Sequence, residues 1–517
     1  MKNKLRCAIN DILSGIVQKI KEDNRIFILL FLIFVIFLSG FLCFGPKPAL
    51  VGDGGEYLGM TCSLYDHHTP DLRTEDIIFR QEIVDLNKIY FPANLIYSGY
   101  VRSEDRGWYS IHFWFYPLCC LPAFTVLHFF NFNVLRCFQI TNLILILLPL
   151  IFIVFHKRIS NFEKIWLFAF AAINPVLFYV NWSHPEIFSY TFVLLAILFH
   201  LNGNNKIAVF MSSIASLQNP PIIVFTLFLI MLGLKKESWK LKEFGLLLLS
   251  ASVTGIPFLF YYIKFKTFSL VTLSGAASVS YISVDKIISL FFDLNFGLFP
   301  YFPVLLIFSI VCLFMSLLKK NFFIPILWSI LCLMAVVCST QANWNGGMMF
   351  INRYDIYMIP ILILIAIYSI KFYAKMTISI IFIFSLLVTG CITGILLPST
   401  DYGNYLKFNY LSNTAMVVFP SSYNPPFAVF AERSIHAETD YYKDFPIIYS
   451  YDNHPRKILT DYQNALKIEY LINPLYKQKI LDNIKQQKIG YINSDDFIFD
   501  IPINISKIQI SILDQHG

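Results

Sequence analysis

Residues 25–57 read RIFILLFLIFVIFLSGFLCFGPKPALVGDGGEY. The run Arg25–Gly45 carries a charge only at its first position and has no proline. As a helix it is long enough for a bilayer core, which takes about 20 apolar residues. Comparable runs recur at Val134–Phe155, Phe244–Ile263, Tyr301–Leu318 and Met376–Leu397. The 517 residues are 56% hydrophobic and only 14% charged, against about a quarter charged in soluble domains. These patterns predict a multi-pass α-helical membrane protein, with ten to twelve spans between residues 26 and 397. The first run reads as a retained signal anchor, because its polar leader is long and no small-residue cleavage pattern follows it.

Charge sets the expected orientation. Residues 1–25 carry six Lys/Arg, with Leu5, Ile9, Ile12, Ile16 and Ile20 at helical spacing. They read as an amphipathic helix on the cytoplasmic leaflet. The basic breaks His156–Lys164, Lys235–Lys242, Lys319–Asn321 and Lys371–Lys375 read as cytoplasmic. Asn181–Glu186, Lys264–Gly297 and Thr340–Arg353 then face outward. The loop 45–112 holds ten acids against six Lys/Arg and reads as extracytoplasmic, with short helices on the membrane surface. Two crossings at Phe113–Phe130 and Val134–Phe155 would put Lys157 and Arg158 outside. Pro117 and Pro122 make a shallow or re-entrant first segment an alternative. Gln218–Pro221 divides Ile207–Leu234 into two half-length helices.

Residues 398–517 are richer in Asn, Asp, Lys, Tyr and Pro and read as a small α/β-mixed extracytoplasmic domain. Lys457–Lys488 reads as helical, interrupted at Asn473–Pro474. Phe497–Ile505 alternates as a strand, slips at Ser506–Lys507 and resumes at Ile508. The net charge of +7 suits membrane anchoring and, lacking a basic stripe, predicts no nucleic-acid partner. Of the ten Cys, most fall in apolar runs and Cys62 falls in the outer loop. No spacing suggests a disulfide framework or zinc ribbon.

Candidate chemistry gathers at the outward loops. In GDGGEY, Asp53 and Glu56 share a side if a helix starts there, and either carboxylate can serve as a base or hold a divalent cation. Two solvated loop acids are the plain alternative, and the position at a membrane exit argues against it. Asp105–Pro117, DRGWYSIHFWFYP, is an aromatic interface that embeds Arg106 and His112. Asn343–Arg353, NWNGGMMFINR, ends in an arginine suited to a phosphate at headgroup depth, and Tyr354 follows it. Snorkelling is the competing reading for Arg353. Asn181–Glu186, NWSHPE, adds His184 and Glu186 as supporting candidates. Asp293–Pro303, DLNFGLFPYFP, reads as a turn in which Asn295 could touch substrate. No phosphate-cradling loop, nucleophile elbow, HExxH or dinucleotide fingerprint occurs in a suitable context, so an ATP-driven machine is not expected.

Taken in order, GDGGEYL, YSIHFWFYP, GLFPYFPVLL and WNGGMMFINRYDIYMIP resemble membrane glycosyltransferases of the GT-C fold, nearest to bacterial relatives of the protein mannosyltransferase and aminoarabinose transferase group. The resemblance spans roughly Arg25–Leu397. It implies transfer of a sugar from a polyprenyl-phosphate donor to a glycan, lipid or protein acceptor at the outer face of the cytoplasmic membrane, usually with inversion. It carries the base or acceptor-orienting role onto Asp53, with Glu56 as helper, and the carrier-phosphate ligand onto Arg353. In this chain two glycines separate the acids, and His112 precedes Phe113–Trp114 instead of Gly-Pro. A transporter or flippase of lipid-linked glycans, or a polysaccharide polymerase or ligase, is the alternative. Mid-membrane charges would favour the first and a later large loop the second.

Overall fold

The computed structural model describes residues 24–46, 48, 50–89, 99–104, 106–236, 241–347, 350–397, 406–437, 445–452 and 454–497. The amphipathic segment expected over residues 1–25 and the strand expected beyond Phe497 lie almost wholly outside them. Contacts divide the chain into two compact units. The first comprises 1–283, 301–344 and 353–400, and the second 284–300, 345–352 and 401–517.

The first unit is helical. Among the described residues, five helices are long and apolar enough to cross a membrane: Arg25–Phe44, Val134–Phe155, Asn161–Tyr179, Leu241–Phe265 and Lys375–Leu396. Five shorter apolar helices accompany them. Their burial differs in a telling way. Only 11% of Arg25–Phe44 is covered by protein, against 72% of Asn161–Tyr179. In Arg25–Phe44, Leu29, Ile33 and Ile36 are exposed. A helix apolar all round, with most faces uncovered by protein, is stable where the surrounding solvent is lipid. The chain is therefore a helical membrane protein whose inner spans are shielded by outer ones.

The Phe115–Phe129 helix contains Pro122. Its 15 residues rise about 22 Å at 1.5 Å each, short of an upright crossing of a ~30 Å core. The break at Gln218 is real. The Asn205–Gln218 helix ends there, and a 3-10 turn, Pro220–Ile222, leads into Ile223–Lys236. Pro220 and Pro221 have no amide hydrogen to continue the ladder. Gln218 fastens this break to the next segment: its Oε1 accepts from Tyr116 N at 2.9 Å and its Nε2 donates to Phe113 O at 2.8 Å.

The segment after the first span is no open loop. Gly54–His67 is a helix buried from Gly54 to Leu64. Cys62 therefore belongs to a packed helix, although the polar character of its surroundings suggested a loop. A second helix, Thr74–Leu86, is tied back by His67 Nε2 to Asp76 Oδ2 at 3.0 Å. Two short strands follow, β1 (Tyr100–Arg102) and β2 (Trp108–Ser110), antiparallel with Val101 opposite Tyr109. They are too short for alternation to have marked them.

In the second unit β3 (Ile447–Tyr451), β4 (His454–Asp461) and β5 (Ile489–Asn493) form an antiparallel sheet with β4 central. Lys457–Asp461 is thus strand, where a helix was expected. Ile458 joins one apolar cluster and Leu459 another, because successive residues of a strand face opposite ways. Burial on both faces removes the polar alternation by which a strand is recognised in sequence. The expected break at Asn473–Pro474 is where the Pro474–Gln487 helix begins, capped by Asn473 Oδ1 accepting from Leu475 N at 3.0 Å. Asn295 is fully buried. Its Oδ1 accepts from Asn409 N at 2.7 Å and Ser412 Oγ at 3.0 Å, so it pins the chain and is not available to a substrate.

Lys457 is buried and its Nζ donates to Pro420 O, Asn424 Oδ1 and Asn493 Oδ1. Burial pushes its ammonium down to about 7, with Asp496 and Asp495 opposing. Lys457→Met leaves three acceptors unpaired and is expected to cost about 1–3 kcal/mol. Amide exchange across β3–β5 should quicken accordingly; unchanged exchange would contradict the assignment.

Candidate functional site

Asp53 precedes the Gly54–His67 helix at its N-cap. An N-cap aspartate ordinarily accepts from an amide of the first turn. Here its side chain makes no such bond, and only its backbone oxygen accepts from Glu56 N and Tyr57 N. The carboxylate is turned outward to two cations. Arg353 Nη1 donates to Asp53 Oδ2 at 2.8 Å, and His112 Nε2 lies 3.3 Å from the same oxygen. The adjoining helix N-terminus adds to the positive field.

Glu56 stands one turn on. Its Oε2 accepts from Ser110 Oγ at 2.5 Å, and its Oε1 lies 4.0 Å from His112 Nε2. Two glycines make room. A Cβ on Gly54 would overlap Ser183 Oγ, and one on Gly99, whose φ is +72°, would overlap the Glu56 carboxylate. GDGGEY therefore needs Gly54 for the Ser183 segment to approach and a second, remote glycine to seat its glutamate.

The two acids are pushed apart. Burial opposes ionisation of Asp53, but His112 and Arg353 overcome it and hold Asp53 well below the usual carboxylate range. Burial dominates at Glu56 and lifts it to about 8, despite His112, with Asp53 adding to the rise. The two histidines also diverge. Burial disfavours charge on both. At His112 the neighbouring Asp53 and Glu56 carboxylates win and raise it to about 9. At His184 burial wins and lowers it to about 4. Near neutral pH the cluster thus holds an ionised Asp53, a largely protonated Glu56, a charged His112 and a neutral His184.

His184 has an anchoring part. Its Nε2 donates to Val51 O at 2.9 Å and its ring stacks on Trp182 at 4.6 Å. Asn142 fixes the same turn by donating to the carbonyls of Val180 and Trp182, while its Oδ1 accepts from Tyr116 Oη at 2.9 Å. Arg353 is steadied by donation to Tyr354 Oη at 3.3 Å and by the Tyr354 ring, 5.1 Å from its guanidinium carbon.

A cavity of about 280 Å³ adjoins the cluster, lined by Tyr57, His112, Glu186, Gln218, Arg353 and Tyr354 among others. Glu186 is buried there with its Oε2 lacking a hydrogen-bond partner, as does Arg353 Nε. The structure therefore brings together Asp53, Glu56, His112, His184, Glu186, Arg353 and Tyr354. It does not bring Arg106, which sits exposed in the β1–β2 turn and lines a different cleft. Sequence reasoning passed over Ser110, Tyr57 and Gln218. Ser110 stands in the YSIH motif two residues before His112, a visible signal. Tyr57, whose ring lies 5.8 Å from His112 and 5.4 Å from His184, closes the GDGGEY motif, and Gln218 opens the break at Gln218–Pro221, so both also stand in visible motifs.

Chemically, the cluster joins an ionised carboxylate to an arginine beside a cavity. It can accept a proton at Asp53 and bind an anion at Arg353. Asp53, Glu56 and His112 each offer an atom within 4.8 Å of the others. Two carboxylates and an imidazole suit a divalent cation. Such an ion would take the place of the His112 proton and compete with Arg353 for Asp53.

If the ionised Asp53 holds the His112 proton, Asp53→Asn should lower the His112 pKa from about 9 towards the ordinary histidine value of about 6.5. Histidine-selective NMR titration of the full chain reads this. A His112 that titrates unchanged in the variant would refute the coupling.

Compared with family models, with curated proteins and with solved structures, the chain matches none.

Proposed function

We propose that the chain is a glycosyltransferase that moves a sugar from a polyprenyl-phosphate carrier to an acceptor hydroxyl at the outer face of the cytoplasmic membrane, in a GT-C-like helical scaffold. The carrying observation is the pairing of Arg353 with Asp53 at 2.8 Å, with His112 at 3.3 Å, beside a cavity lined by Arg353 and His112. The ordered motifs that resemble this enzyme class contribute these residues. The acidic first loop and the basic breaks support the outward orientation.

The reaction is a single displacement. The bond between the anomeric carbon and the carrier phosphate breaks, and its electron pair leaves with the phosphate. Arg353 stabilises that charge; its Nε is a donor with no partner, while Nη1 donates to Asp53 and Nη2 to Tyr354 Oη. The acceptor oxygen bonds to the anomeric carbon from the opposite side, and its proton passes to Asp53. A carboxylate held well below its usual range is a weak base but is always ionised. A weak base is sufficient where the transition state resembles an oxocarbenium ion, since the acceptor becomes acidic as its bond to carbon forms. His112 remains charged beside Asp53 and orients it. The lipid tail would lie along the apolar spans. Asp53, His112 and His184 lie outside the helices long enough to cross a membrane, which favours an enzyme over a transporter with charges at mid-depth.

The test uses purified protein in nanodiscs with a panel of radiolabelled polyprenyl-phosphate monosaccharides and a membrane-extract acceptor. Asp53→Asn should reduce transfer by about 10²–10⁴-fold without loss of folded protein. Arg353→Ala should raise the donor KM, with partial recovery in Arg353→Lys. Full transfer in Asp53→Asn, or movement of donor across the bilayer without transfer, would overturn the proposal.

A further inference from the structure

Arg106 is left out of the acid cluster, and its surroundings have a chemistry of their own. It lies between β1 and β2 with φ +68°, a left-handed conformation where glycine or asparagine is ordinary and arginine costs backbone strain. Its backbone N–H donates to Ser103 O at 3.0 Å. Among the described residues its guanidinium has no ion-pair partner. A turn that needs only a permissive backbone has been given a long, permanently charged side chain.

The cleft beneath it measures about 590 Å³ and is open. Arg73, Arg106 and Lys264 line it together with Asp71, Glu75 and Trp108. Arg73 Nε donates to Asp71 Oδ2 at 3.1 Å, and the lining as a whole sets three cations, Arg73, Arg106 and Lys264, against two acids, Asp71 and Glu75. Lys264 is steadied over the Tyr109 ring at 5.4 Å. A cleft of this size exceeds what a single phosphate fills and falls within the range of small-molecule sites. Cationic side chains beside a partly buried tryptophan suit a ligand with both carboxylates or phosphates and flat apolar ring faces.

The hairpin connects this cleft to the acid cluster. Trp108 lines the cleft, while Ser110, two residues along β2, donates to Glu56 at 2.5 Å. Leu72 N donates to Trp108 O at 2.7 Å and fastens the cleft's other wall to the same strand. A ligand held here is therefore registered against the cluster by one short, hydrogen-bonded element.

We propose that the Arg106 cleft binds an acidic saccharide, through Arg106 and Lys264 to its anionic groups and Trp108 to a ring face. Its role as the distal part of the acceptor rests on the transferase reading above; the binding itself does not. The same anionic, hydroxylated chemistry occurs in a lipid headgroup, and the test separates the two sources.

The full chain in neutral detergent is titrated calorimetrically with tetragalacturonate and with maltotetraose, and reconstituted in nanodiscs of phosphatidylcholine with or without phosphatidylglycerol. Tetragalacturonate should bind, weaken as salt rises, and bind at least tenfold more weakly to Arg106→Gly and to Lys264→Gln; maltotetraose should not bind. Arg106→Gly relieves the turn's strain, so loss of affinity there is not loss of fold. Binding of tetragalacturonate that is absent or indifferent to both substitutions would overturn the proposal. So would Arg106-dependent competition by phosphatidylglycerol that abolishes saccharide binding. No donor is present in this assay, so its failure leaves the transferase reading standing, and failure of transfer leaves the cleft standing.

Discussion

The ion pair between Arg353 and Asp53 joins residues 300 positions apart in the chain. Its stability depends on geometry more than on charge alone, because a pair this far removed from water, with side chains 17% and 25% exposed, is favourable only when its remaining polar atoms are matched. Around it most polar atoms are matched, Arg353 Nε and Glu186 Oε2 excepted. Asp53 forgoes its own helix cap and takes His112 as a second donor, while Arg353 leans on Tyr354 and on the carbonyl of Asn343. The helix start, the hairpin end and the Tyr354 ring meet around this pair of charges.

Supporting groups act at one remove. Asn142 holds the carbonyls of the turn that carries His184, and His184 holds Val51 beside Asp53. Gln218 bridges Phe113 and Tyr116, which fixes the approach to His112. Each is a polar side chain inside an apolar bundle, where an unmatched donor or acceptor is costly. Each is satisfied by backbone atoms of an irregular segment, whose own groups would otherwise be orphaned. The same bonds thus close the polar ledger of the bundle and shape the site.

Legibility in sequence followed the range of the physics. Arg25–Phe44 was readable because a run of apolar side chains declares its preferred solvent residue by residue. Asp53, Glu56, His112 and Arg353 were readable as suspects because charge is rare in such a chain. The short hairpin β1–β2 and the central strand β4 were not, the first for want of length and the second because both faces are buried. Cys62 and Asn295 misled for a related reason. A polar neighbourhood in sequence says little about burial when a segment folds back on itself.

The amino-acid order by itself determined that the chain carries membrane-crossing helices and where its scarce charges lie, since hydrophobicity and charge belong to the residues. The tertiary structure alone decided that Asp53 meets Arg353, that Arg106 stands apart, and that His112 is charged while His184 is neutral. A histidine's protonation is set by which carboxylates fold to within a few ångströms of it and by how much water they displace. Neither is written in any local stretch of the chain.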